Sequence, residues 1–298
     1  MKTPNQIKKI YDSGQNIIKF LKSQNNTTQN TKDMIALSYD LQAGTYTNKW
    51  RDPNLKPLLE KYTKEISDVI LSIYNPKTIL EAGIGEATTM GGVLKNLDKD
   101  IESYGFDISW SRVKYAKKWL ESHNFQNTKL CTGDMFNMPF CDNSIDVVYT
   151  AHSIEPNGGK EKEIIEELYR VAKYYVILVE PDYDIASEEE KRRMDEHGYC
   201  KNLKEISNNL GYEVVDYKIF KNPLNIQNPT SAIVIKKSNF DLNNKDNHIF
   251  ACPRYKTPLI KTKDGYFSEE ALSMYPSIDG IPCLRIENSI LASKYETN

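Results

Sequence analysis

Apolar residues recur along the chain with a period that changes part-way. Near the start, Ile7, Ile10, Ile17, Ile18 and Leu21 sit at helix-like spacing, which predicts one helix over about residues 5–23. The polar stretch NNTTQNTKD that follows reads as a loop. Pro53 and Pro57 bracket the start of a second helix, with Leu59, Tyr62, Ile66, Ile70 and Ile73 on its apolar face. From residue 77 short apolar runs alternate with helical spacing. KTILEAG, IESYGFDIS, TKLCTGD, IDVVYTA and YYVILVEP read as strands. ATTMGGVLKNL, SRVKYAKKWLESH and EKEIIEELYRVAK read as helices between them, and GYEVVDYKIF and SAIVIKK as two strands at the far edge.

This alternation predicts an α/β fold: a doubly wound, Rossmann-like, mostly parallel sheet with helices on both faces. The organisation expected is an N-terminal helical cap (1–60), a larger domain (61–238), a polar linker without periodicity (238–247) and a small α+β module (248–298). There is no internal repeat.

Composition narrows the class. Lys plus Arg total 39 and Asp plus Glu 41, a net charge of −2, which excludes a protein that binds nucleic acid through bulk positive charge. A local basic patch, such as Lys2, Lys8, Lys9, Lys19 and Lys22, leaves nucleic acid open as a partner. No apolar run reaches the ~18 residues that span a bilayer, and the N-terminus has no continuous apolar core of a secretory signal. The five cysteines are scattered and contain no C-x-x-C, so neither a disulfide framework nor a four-cysteine zinc site is expected. A cytoplasmic protein with reduced thiols, no membrane partner and no metal follows as the expectation.

The chemistry is concentrated at strand ends. Thr78-Ile-Leu-Glu81-Ala-Gly83-Ile-Gly85-Glu86-Ala87 is a buried strand that ends at an acid and then two glycines, which permit a tight turn and close approach of backbone to ligand. A nicotinamide or flavin fingerprint needs a third glycine at position 88, which is Thr88. Glu81 and Glu86 disfavour a pyrophosphate and suit a ligand with a positive group. Asp107, 22 residues past Gly85, ends the next strand, where a carboxylate can accept from ribose hydroxyls. Gly133-Asp134-Met135 ends the following one: Asp134 can accept from an adenine amino group and Met135 can lie against the ring.

LEAGIGEAT, FDIS, GDMFNMPFCDNSIDVVY and RVAKYYVILVEP together resemble the class I S-adenosylmethionine-dependent methyltransferases of the type 11 group, over about residues 39–238. The resemblance implies seven strands with S-adenosylmethionine across the switch point. It assigns Gly83 and Gly85 to the methionine part, Asp107 to the ribose, and Asp134 and Met135 to adenine, with Glu81 and Ile108 also in the cofactor-binding set. Thr150 belongs to the same set, and Tyr39 to Tyr46 look like an N-terminal lid. Ala87 replaces a common third glycine, with slight effect expected.

Methyl transfer from a sulfonium needs an acceptor held in line and, for an oxygen nucleophile, a base. The segment Thr150-Ala-His152-Ser-Ile-Glu155 borders the methyl in this family, so His152 or Glu155 is the candidate base or acceptor contact. Absence of N-P-P-Y or D-P-P-Y argues against DNA amino groups and protein amides as acceptors. Residues 181–205 form a charged insertion that is a candidate acceptor lid, with Tyr183, Arg192, Arg193, His197 and Tyr199 as possible contacts; a solvated helix is the alternative.

Cys252-Pro253, Lys256, Leu259 and Tyr275-Pro276-x-x-Asp279-Gly280-Ile281-Pro282 resemble the Trm112-like zinc-ribbon-type domains, partners and activators of methyltransferases. The zinc-ligand pattern is broken at Tyr255 and no second cysteine pair exists, so Phe250, Leu259, Tyr266, Leu272, Tyr275, Ile281 and Leu284 are expected to hold the fold, docked on the larger domain. The leading function is methyl transfer to a small-molecule or sugar/glycan acceptor. The alternatives are an RNA or protein methyltransferase and a non-catalytic regulator that binds S-adenosylmethionine. A homodimer stays open.

Overall fold

The computed structural model describes residues 2–238 and 248–296. The single N-terminal helix expected over 5–23 is two. Helix α1 (Pro4–Asp12) opens on a capping box between Thr3 and Gln6. The chain then turns, and Asn16 caps α2 (Ile17–Gln24) by accepting the Lys19 N–H at 2.9 Å. A capping side chain inside an otherwise continuous apolar period ends one helix and starts another.

Two further helices, which the apolar spacing did not announce, follow: α3 (Lys32–Leu41) and α4 (Thr45–Arg51). Helix α5 (Lys56–Ile73) buries Tyr62, Ile66 and Ile70 as its spacing predicts. It starts before residue 60, so the expected limit between cap and larger domain falls inside a helix.

Strands β1 (Thr78–Ala82), β2 (Glu102–Asp107), β3 (Lys129–Thr132), β4 (Ile145–Ala151), β5 (Ala172–Pro181), β6 (Glu213–Ile219) and β7 (Thr230–Lys236) form a seven-stranded sheet in the order β3-β2-β1-β4-β5-β7-β6. The first five are parallel, and β7 runs antiparallel to both neighbours. Helices α6 (Thr88–Leu94), α7 (Trp110–Ser122) and α8 (Glu161–Val171) make the crossovers, and α9 (Glu188–His197) and α10 (Leu203–Asn209) precede β6. The order reverses between β1 and β4, which opens a crevice at their C-terminal ends. Alternate strand residues serve two cores. Ile79, Val147 and Ile177 face Tyr62, Ile66 and Met90 of α5 and α6. Leu80, Val148 and Val176 face α8, Phe140 and the C-terminal module.

That module is a five-stranded antiparallel sheet of β8 (Ile260–Lys261), β9 (Gly265–Ser268), β10 (Ser273–Ile278), β11 (Ile281–Pro282) and β12 (Ile290–Leu291). Its described residues carry a 3-10 turn at Ile286–Asn288 in place of the α-helical part expected. It docks at the β3 edge: the Leu284 N–H donates to the Thr132 carbonyl (3.1 Å), the Ala251 N–H to the Pro139 carbonyl (3.0 Å), and Phe250 packs on Phe140 at 5.5 Å between ring centres. Leu259, Tyr275, Ile281 and Leu284 are buried as expected. Leu272 is not: it sits at φ +47° in a turn and is exposed. Residues 239–247, most of the expected linker, lie outside the described residues.

Cys131, Cys200, Cys252 and Cys283 are buried free thiols, and among the described residues no group of three or more His, Cys, Asp or Glu is placed to hold a metal. No described helix is long and apolar enough to cross a membrane.

Candidate active site

Strand β1 delivers Glu81 to the crevice, and the chain turns through Gly83 (φ +74°) and Gly85 (φ +55°). A Cβ on Gly83 would stand 2.5 Å from Ser153 Cβ and 2.8 Å from Met135 Cε, so the turn fits beneath them only as glycine. Ala87 also takes a left-handed conformation, φ +58°. Alanine in place of the glycine therefore costs about 1 kcal/mol of backbone strain, more than the slight effect expected.

The turn reaches upward as well. Glu86 is buried and accepts the backbone N–H groups of Gly44 (2.9 Å), Tyr46 (3.2 Å) and Thr47 (2.7 Å). It caps α4 and holds it over the crevice, whose cavity it also lines.

Around this frame lies a cavity of about 440 Å3. Asp107 lines it, accepting the Gly85 N–H (3.0 Å) and the Ser109 N–H (2.9 Å) with one oxygen each. A carboxylate has about four lone-pair sites, so Asp107 retains acceptor capacity for hydroxyls. Its burial raises its pKa above the usual carboxylate value, against the opposing pull of Arg112. Glu81 is pushed up to about 8 by burial, although the Tyr149 hydroxyl donates to it at 2.7 Å. Ile108, Asp134 and Met135 line the same cavity, as do Tyr39 and Tyr46. Those two tyrosine rings flank the Arg112 guanidinium at 4.8 and 4.7 Å. Thr150 is fully buried within β4 and is not part of the lining.

The far end follows β4. Glu180, at the end of β5, accepts the N–H groups of Ser153, Ile154 and Glu155 at 3.0, 3.0 and 3.1 Å, shaping the turn. Its burial pushes it up to about 7. His152 is held at φ +54°, a strained conformation for a non-glycine residue. Its Nδ1 lies 2.8 Å from Glu155 Oε2 and its Nε2 3.3 Å from Thr230 Oγ1. The Thr230 hydroxyl donates to the Asn228 carbonyl at 2.9 Å, so it can only accept from His152. Both imidazole nitrogens are then donors. Burial alone would lower the His152 pKa; the Glu155 bond and the charge of Glu180 outweigh it and raise it. The ring is thereby favoured as the imidazolium.

Of the residues expected in the charged insertion, Tyr199 lines the cavity. Its pKa is raised by burial and by its bond to Glu155. Tyr183, Arg192, Arg193 and His197 are not in the lining; Arg193 reaches Asn228 from behind. Sequence reading missed Arg112, Lys32, Asn228 and Thr230. Arg112 had a usable signal, since a cation in the first turn of α7, three residues past its Ser109 cap, opposes the helix dipole and needs a local partner.

The glycine turn that only glycine fits, and a buried Asp107 with open acceptor capacity beside it, suit an adenosyl ligand that carries positive charge. Residues 75–251 match a family described as "Methyltransferase domain". The chain belongs to that family. Its methyl donor is S-adenosylmethionine. Two curated relatives are similar to part of this chain: an ajmaline N-methyltransferase from Rauvolfia serpentina, 30% identical over 43% of this chain and 44% of its own length, and a demethylmenaquinone methyltransferase from Geobacillus sp. (strain WCH70), 25% identical over 42% and 47%. The alignments thus span under half of either relative. Among solved structures, magnesium protoporphyrin IX methyltransferase from Synechocystis PCC 6803 with bound SAH covers 70% of this chain and 100% of its own, with a TM-score of 0.53 at 14% identity, which shows a shared fold.

Proposed function

We propose that the chain transfers the methyl group of S-adenosylmethionine to a small-molecule acceptor, sugars included. The observation that carries the reading is the Glu86 clamp, which holds α4 over the crevice and makes the acceptor space a walled cavity. Its acceptor side has an apolar wall of Trp50, Leu55, Leu58, Leu59 and Leu224, and a polar end of Glu155, Tyr199 and Asn228. Such a pocket suits an amphipathic molecule that donates one hydrogen bond to Glu155. The two curated relatives, named for ajmaline and demethylmenaquinone, support a small acceptor.

The cofactor supplies a methyl group on a sulfonium, activated for in-line displacement. Asp107, Ile108, Asp134 and Met135 would hold its adenosine part, and Glu81, Gly83 and Gly85 its methionine part, beneath Tyr39 and Tyr46. The chain's own work is positioning and exclusion of water. Where the acceptor must lose a proton, Glu155 takes it. His152, already a donor through both nitrogens, orients Glu155 and stays protonated. Residues 248–296 are assigned as a Trm112-like module fused to its enzyme; the buried Cys252 and the β10 Tyr275-Pro276 pair support that assignment.

The test is transfer of labelled methyl from S-adenosylmethionine into separated cell fractions. Label in the dialysable fraction is expected. Label confined to RNA or protein would reject a small acceptor.

A further inference from the structure

The segment Cys283–Glu287 of the C-terminal module runs past the C-terminal end of β3. Thr132, the last residue of β3, forms a parallel bridge with Cys283 and accepts the Leu284 N–H at 3.1 Å. One residue further along the module, Arg285 Nη1 donates to the Ile108 carbonyl at 3.3 Å. Two residues beyond that, Glu287 accepts from Lys32 Nζ, and the same ammonium donates to Asp134 Oδ2 at 2.9 Å. Ile108 and Asp134 both line the cavity assigned to the cofactor, on the side where adenine is expected. Lys32 opens α3, the helix of the N-terminal lid.

These contacts converge on one group. The other oxygen of Asp134 accepts the Phe136 N–H at 3.0 Å, so Lys32 and the backbone together fix that carboxylate. Lys32 in turn is fixed between two acids, one in the domain and one in the module. Without Glu287, Lys32 Nζ rests on Asp134 alone and competes with any other donor for its Oδ2. Without Arg285, the loop that carries Ile108 loses a brace.

We propose that Arg285 and Glu287 are positioning residues for the adenosyl side of the cofactor cavity, acting through the Ile108 carbonyl and Lys32, so that the C-terminal module sets cofactor affinity. The proposal rests on the cofactor reading above. It goes further by making the module part of the site and linking it to the lid through one lysine.

The test uses the full chain with S-adenosylhomocysteine as the calorimetric probe. Glu287→Gln and Arg285→Gln are expected to weaken binding by about three- to tenfold each, the range for charged hydrogen bonds partly screened by solvent. Glu287→Asp should restore most of the affinity. Lys32→Gln combined with Glu287→Gln should bind no worse than the weaker single variant, since both act through one ammonium. The KM for S-adenosylmethionine should rise while kcat holds, and the thermal midpoint should stay within a few degrees of wild type. Wild-type affinity in both single variants overturns the proposal and leaves the cofactor reading intact. Failure of the wild-type chain to bind the probe overturns both.

Discussion

Glu86 accepts the Thr47 N–H at 2.7 Å, which ties the turn after β1 to the helix that roofs the cavity. Closure of the site is thus written into the cofactor turn itself. Glu86→Ala strands three N–H groups at the start of α4. We expect α4 to detach, with hydrogen exchange over residues 44–51 accelerated by at least tenfold, about the effect of losing one charge-assisted bond of ~1.5–3 kcal/mol. Binding of S-adenosylhomocysteine should weaken in parallel. Unchanged exchange in the variant would show that α4 is held elsewhere.

The proton assignment separates two neighbours. With Thr230 donating to Asn228, His152 has no lone pair to offer, and Glu155 is the open acceptor. Glu155→Gln is expected to cut kcat by about a hundredfold or more for a hydroxyl acceptor, the usual scale of lost general-base catalysis. His152→Gln should retain at least about a tenth of the turnover. The reverse ranking in steady-state kinetics would return the base to His152.

Stability should depend on pH in one direction. Glu81 is raised to about 8 and Glu180 to about 7 from an ordinary 4.5, both by burial. The folded chain then binds more protons than the unfolded chain between those limits. Stability is therefore highest below the unfolded value and falls as pH rises toward about 8. His152, also raised, adds to the same trend as pH climbs through its folded pKa. Thermal midpoints measured from pH 5 to about 8 should fall, and Glu81→Gln should flatten the slope. A midpoint that rises across this range would contradict the burial of these acids as charged-form penalties.

Phe250 packs against Phe140, Tyr104 and Tyr266, joining the module to the domain core. Phe250→Ala should cost about 3 kcal/mol, the low end for deleting a core aromatic ring. Unfolding should stay a single transition by two probes, because one core is shared. Separate transitions in the wild-type chain would show that the module is independent.

The sheet was legible because each strand carries a short apolar run bounded by turn chemistry, and because acid and glycine positions recur at strand ends. Gly83, Asp107 and Asp134, which follow or end successive strands in the sequence pattern, line one cavity. The lid was not legible as helices: α4 is capped by Glu86, and Tyr39 of α3 and Tyr46 of α4 meet Arg112, contacts that are long-range in sequence. The split of the first helix turned on Asn16, a cap hidden in a continuous apolar period. Thr150, placed in the cofactor set by the resemblance, is buried in β4 and does not line the cavity.

Titration calorimetry with S-adenosylhomocysteine on wild type and on Asp107→Ala bears most directly on the cavity as an adenosyl site. One-to-one binding in the micromolar range, lost by at least tenfold in the variant, is the outcome expected. No heat with this compound, with a dinucleotide binding in its place, would contradict the account.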